Sequence, residues 1–215
     1  MEHPLLDSIH AIFPLTSAQT DPVRFKASGM KFTTTRYDAQ NFGSVSLMQA
    51  KGFFGLMRMT TLILNPFSVD APLLSIDRIS AMGRELLYVE MFDTMLDHKF
   101  EIDGLEAVNN KYKTLPDQDP GKHWYDHMRV GTPLIKKDKA ASAEVFTKAQ
   151  AEYLDAYLAA CKAAPACDEA AKREKARVYS EGLLKNGGPA TDPVKKALGV
   201  EKTTEFFRNT LFGTN

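Results

Sequence analysis

Residues 70–79 read DAPLLSIDRI, a mostly apolar run interrupted by a carboxylate at Asp77. An ionised carboxylate in a half-buried strand is costly unless something pairs with it. With a period of two, Ser75, Asp77 and Ile79 share one face, while Leu74, Ile76 and Arg78 share the other. On the preceding strand Thr60 shares a face with Leu56, Arg58, Leu62 and Leu64. Two readings of Asp77 stay open on the residues alone: a structural ion pair, or an acid that works. A carboxyl on a sheet face beneath an apolar ligand would have its pKa raised by desolvation, which suits a proton donor near neutral pH.

Other chemistry is weaker. Asp192 precedes Pro193, the pattern of a helix N-cap followed by Pro in the first turn. His123 and His127 in HWYDH have helical i, i+4 spacing but lack the Glu of a zincin motif, so no metal is expected. Cys161 and Cys167 have no histidine neighbours and read as two reduced thiols at a helix end. There is no P-loop, no G-x-G-x-x-G and no G-x-S-x-G, so phosphate cradling and serine hydrolysis find no support. The basic run KREKAR (residues 172–177) reads as a solvated helix face.

The elements that must position Asp77 follow from periodicity. A first helix is expected over residues 4–13, ended by Pro14. Strands are expected over 31–39, 55–64 and 73–80, and over 86–92 after a tight MGRE turn. Links this short make antiparallel hairpins. Residues 93–131 read as irregular, and 132–137 as a last short strand. Helices are expected over 142–163 and 168–185, then a closing helical segment interrupted at Gly199. Helices before and after an antiparallel sheet suggest an α/β fold, a three-layer α/β/α sandwich, in one domain spanning 1–215.

With 215 residues and 44% hydrophobic content the chain can bury a real core. Its 27 basic residues balance 27 acidic ones, which argues against nucleic acid as the main partner. No segment has the order of a signal peptide, and no apolar run approaches the ~20 residues of a membrane span, so a cytoplasmic chain without a membrane partner is expected.

Two segments together resemble the ferredoxin-dependent bilin reductases. RMTTLILNPFSVDAPLLSIDRISAMGRELLYVEMFD is similar to that family's central strands, with landmarks Pro66, Asp70, Pro72, Asp77 and Asp93. The closing segment YSEGLLKNGGPATDPVKKALGVEKTTEFFRNTLFG resembles the family's C-terminal pattern through Asp192, Pro193, Val194, Gly199, Phe206, Phe207, Leu211 and Phe212. WYDHMRVGTPLIKK is a looser match to a tryptophan-containing segment before a strand with a basic end. The patches cover roughly half of the chain, in the family's order.

The resemblance implies an open tetrapyrrole lying between the sheet and the C-terminal helices. It implies no bound metal or flavin, single electrons from reduced ferredoxin, a radical mechanism and protons from side chains. Asp77 matches the family's central-strand proton donor, and Asp192 a second donor before the last helix. Lys136 or Lys137 would meet a propionate, with Thr60, Ser75 and Arg58 also expected at the substrate. The family's His or Asn opposite the catalytic Asp falls, without gaps, at Thr60. The Glu of members making phycocyanobilin falls at Met48, so the chain looks unlike that branch. The expected activity is reduction of biliverdin or a related linear tetrapyrrole, by a monomer. The alternative is a non-catalytic bilin or haem binder on the same scaffold.

Overall fold

A computed structural model describes residues 3–97, 99–188 and 191–215. Eight strands form one antiparallel sheet: β1 (Leu15–Ser17), β2 (Val23–Ala27), β3 (Met30–Ala39), β4 (Gly43–Gly52), β5 (Met57–Pro66), β6 (Leu73–Ala81), β7 (Arg84–Phe92) and β8 (Leu134–Lys139). The order is β1-β3-β4-β5-β6-β7-β8, with β2 also paired to β3. From β3 to β7 sequence neighbours joined by short links are sheet neighbours, and β8 returns to pair with β7 after the long segment that carries a helix.

Among the described residues six helices accompany the sheet: α1 (Pro4–Ile12), α2 (Asp103–Lys111), α3 (Ala143–Ala163), α4 (Glu169–Asn186), α5 (Thr191–Leu198) and α6 (Val200–Glu205). The helix break expected at Gly199 is present: Gly199 has φ +79° and precedes α6. A π-helical turn over Phe206–Leu211 follows α6. The fold is α/β with a mostly antiparallel sheet.

Alternation along each strand divides the core in two. Leu47, Leu62, Leu64, Leu74, Ile76, Leu87 and Val89 cluster with Leu6 and Ile9 of α1, Leu105 of α2 and Phe146, Tyr153 and Tyr157 of α3. Met48, Ile63, Leu73 and Phe92 point the other way. They cluster with Tyr179 and Leu183 of α4, Val194 of α5, and Phe206, Phe207, Leu211 and Phe212 of the closing segment. Asp77 has the odd parity of Leu73, so it belongs to this second face.

The sequence reading lacks the short strands β1 and β2, and three further features differ from it. β4 escaped it because Val45, Leu47, Met48 and Ala50 are buried on both faces and Ser44 and Ser46 interleave with them, which erases the two-residue alternation. α2 lies inside the stretch read as irregular; Leu105 is its one buried residue, too little for a stripe. Finally, KREKAR is not simply solvated. Lys172 is wholly buried, and its Nζ donates to the carbonyls of Ala71 (2.6 Å) and Thr94 (2.6 Å). Arg173 and Arg177 donate to the carbonyls of Gly213 (2.8 Å) and Thr214 (3.1 Å), so this stretch of α4 holds the chain's last residues in place.

Candidate functional site

Antiparallel register assembles one row of side chains across the second face: Thr34, Met48, Thr61, Asp77, Tyr88 and Ile135. Facing positions in adjacent strands lie about 4.5–5.5 Å apart. Thr61 Oγ1 donates to Asp77 Oδ1, and Ser75 Oγ donates to Oδ2 at 3.3 Å. No cation pairs with Asp77 among the described residues, so the ion-pair reading of this residue falls away.

Asp77 is half-buried, and so are Met59, Ile79, Leu86 and Tyr88 around it on this face. Beyond them Ile63, Leu73 and Phe92 are fully covered. Asp77 therefore stands where the covering of the face gives out, hemmed in but still reachable by solvent. Burial pushes its carboxyl up to about 6, and the charge of Glu90 adds to the rise. The Thr61 and Ser75 hydroxyls donate to the ionised form and hold the rise back.

An aromatic wall closes the covered end. Phe92 stacks on Tyr179 at 4.4 Å between ring centroids and meets Tyr125 edge-on at 5.4 Å. Tyr179 packs edge-on against Phe212 at 5.9 Å. Burial raises the Tyr125 and Tyr179 hydroxyls above their ordinary range, with the Asp77 charge a contributing cause in both. Beside the wall Arg129 bridges Glu90 (2.7 Å) and Asp126 (2.6 Å). Trp124 donates from Nε1 to the Gly187 carbonyl at 2.9 Å, and its ring lies against Gly182 of α4, where a methyl group would overlap it.

The register separates the expected site residues. Thr60 pairs with Arg78, not Asp77, and with Arg58 it points to the opposite face. The threonine beside Asp77 is Thr61; the ungapped count missed by one residue, and one residue on a strand reverses the face. Lys136 is buried on the opposite face too, bound to Asp117 (2.5 Å) and the Leu115 carbonyl (3.1 Å). Lys137 is exposed, and its pairing with Leu86 puts it on the Asp77 face. A ligand touching Asp77 can therefore reach Ser75 and Lys137 on the same face, but not Thr60, Arg58 or Lys136. Met48 stands in the Asp77 row, next to Thr61. Asp192 is exposed in the first turn of α5. Val194 of that helix packs in the second core, which puts α5 on the Asp77 side of the sheet.

Sequence reasoning missed Thr61, Tyr88, Glu90, Tyr125, Arg129 and Tyr179. Tyr88 and Glu90 were within reach, since β7 alternates cleanly. Tyr125 and Arg129 sit in an irregular segment and Tyr179 in a charged helix, where no period marks an inward residue. The landmark Asp70 is buried away from the Asp77 row, accepting from the backbone N–H groups of Leu96 (2.8 Å) and Asp97 (3.0 Å). Among the described residues no three His, Cys, Asp or Glu side chains converge as a metal-binding set. The two cysteines are free thiols, Cys161 being buried.

No family model matches the sequence, and no curated protein matches it. The solved structures do give a likeness. The chain superposes on crystalline phytochromobilin synthase from tomato, in complex with biliverdin, with a TM-score of 0.77. The chain has the phytochromobilin synthase fold. Identity is 13%, with 98% of this chain and 80% of the tomato chain covered, so the likeness to phytochromobilin synthase is one of architecture.

Proposed function

We propose that the protein is a ferredoxin-dependent bilin reductase, reducing biliverdin or a related linear tetrapyrrole with Asp77 as proton donor. The observation that carries this reading is the Asp77 carboxyl: unpaired with any cation among the described residues, half-buried, and raised to about 6. Structural carboxylates are commonly stabilised in their ionised form; this one is held towards its protonated form. Likeness to a phytochromobilin synthase that was crystallised with biliverdin supports the choice of substrate.

In this reading the sheet lies between two helical layers, an α/β/α sandwich, and the tetrapyrrole lies on the half-covered face over Met59, Asp77, Ile79 and Tyr88. Tyr125 and Tyr179 bound it on one side, and Lys137 meets a propionate. A mobile carboxylate suits lysine, a flexible point charge. Asp192, on the same side of the sheet, is the second proton donor.

Reduction of one double bond consumes two electrons and two protons. Two reduced ferredoxins are each oxidised by one electron. Asp77 transfers its proton to the bilin, so that the incoming electron neutralises charge instead of creating it. The Asp77 carboxylate left behind accepts hydrogen bonds from Thr61 and Ser75 and is then reprotonated from solvent. The test is anaerobic turnover of biliverdin with a ferredoxin-reducing system. Asp77→Asn is expected to bind biliverdin with a shifted absorption spectrum but to turn over about 10²- to 10⁴-fold more slowly. Unchanged turnover and product spectrum in that variant would remove Asp77 from the mechanism. A stable complex that never bleaches in the parent protein would favour the non-catalytic binder.

A further inference from the structure

The outer face of β2–β5 is basic, away from Asp77 and at one end of the sheet. Register brings Lys26, Lys31, Lys51 and Arg58 into one row across four adjacent strands, with Arg24 one rung further in. All five are exposed, and none has an ion-pair partner among the described residues. On these four strands this face carries no Asp or Glu. In a chain whose formal charge is zero overall, the concentration is local.

Two to three residues beyond the row, about 7–10 Å along the strands, the hairpin turns carry large apolar side chains. Phe53 is 51% exposed, Leu56 70%, Met82 90% and Phe54 fully exposed. They form one tip: Met82 N–H donates to the Leu56 carbonyl (3.4 Å), and the Phe53 ring lies over Gly29 of the β2–β3 turn. Three of the four adopt the left-handed backbone region, Phe53 at φ +51°, Phe54 at +56° and Met82 at +49°. Met82 and Gly83 make a two-residue hairpin turn with positive φ at both, where Asn-Gly would be cheaper. Bulky side chains in that region store strain, and none of these three is repaid by burial in the core.

We propose that this end of the molecule docks on an anionic lipid bilayer, the apolar tip entering the interface and the basic row lying at headgroup level. Charge complementarity selects an anionic surface. The tip selects lipid over an acidic protein, because a fluid bilayer accepts any convex apolar projection whereas a protein needs a matching hollow. Peripheral docking of this kind needs no spanning segment. It revises the expectation that the chain has no membrane partner, which rested on the lack of such a segment.

The test is co-sedimentation with vesicles of phosphatidylcholine alone and of equal parts phosphatidylcholine and phosphatidylglycerol. Binding is expected to the mixed vesicles only, and to be released by high salt. The double variants Phe54→Ser with Leu56→Ser, and Lys31→Glu with Lys51→Glu, should each weaken it roughly tenfold or more. All four positions are exposed, and circular dichroism checks that the variants fold. The proposal is overturned if the protein binds neither vesicle, if it binds both alike, or if either double variant binds as the parent does. It is equally overturned if the tip variant instead abolishes self-association or binding to reduced ferredoxin in the absence of lipid.

Discussion

Burial makes Asp77 bind its proton more tightly in the folded protein than in the unfolded chain, and this couples stability to pH. Between its ordinary value of 3.8 and about 6, the folded protein holds more protons than the unfolded chain, so stability falls as pH rises through that window. At neutral pH the ionised group costs stability. Asp77→Asn should therefore raise unfolding free energy at neutral pH by about 1–2 kcal/mol, allowing for partial exposure, while slowing turnover. Urea unfolding below pH 3.8 should show no such gain. If Asp77 is the proton donor of the proposed reaction, it must be protonated to act, and kcat/KM for bilin reduction should fall as pH rises through about 6. Thr61→Val removes a hydrogen bond that favours the carboxylate, so the same fall should move to higher pH. A profile in Thr61→Val identical to the parent's would separate that hydroxyl from the acid.

The elements are held to one another by a few polar groups that periodicity does not reveal. α4 is the clearest case. Its Lys172 ties the Ala71 and Thr94 carbonyls to the helix, and its Gly182 receives the outer edge of the Trp124 ring. Lys172→Met should cost about 1–3 kcal/mol in chemical denaturation, because both carbonyls would be left unpaired in the interior. Gly182→Ala should displace the Trp124 ring and break its bond to Gly187, at a cost of about 1–3 kcal/mol. Trp124 is the chain's only tryptophan, so its emission reports the displacement directly.

At the scale of the whole molecule, the second core depends on the closing segment. Phe206, Phe207, Leu211 and Phe212 are all buried there. Ser46 Oγ donates to the Leu211 carbonyl (2.7 Å) and Asn65 Nδ2 to that of Phe212 (2.8 Å), so β4 and β5 grip the segment's backbone. Each buried apolar side chain is worth about 1.5–3 kcal/mol, and a domain's whole stability is about 5–15 kcal/mol. Deleting residues 206–215 should therefore abolish the cooperative thermal transition and expose the Asp77 face, read as increased binding of a hydrophobic dye.

The hairpins from β5 to β7, the long amphipathic α3, the charged α4 and the break at Gly199 were legible in the linear chain, because each depends on local period or on a turn residue. The singularity of Asp77 was legible too: a carboxylate in an apolar strand stands out without any structure. Which threonine faces it was not. Thr60 and Thr61 are equivalent in composition, and only pairing with β6 decides between opposite faces of the sheet. The same physics divides Lys136 from Lys137 and puts Tyr125 and Tyr179 beside the acid from segments far away in sequence. Burial of Lys172 was hidden because a charged helix looks solvated until its partners arrive from other loops. Local sequence determined the elements and the anomalous acid. Tertiary structure decided the acid's neighbours and its proton affinity, since both depend on what register and packing bring within a few ångströms.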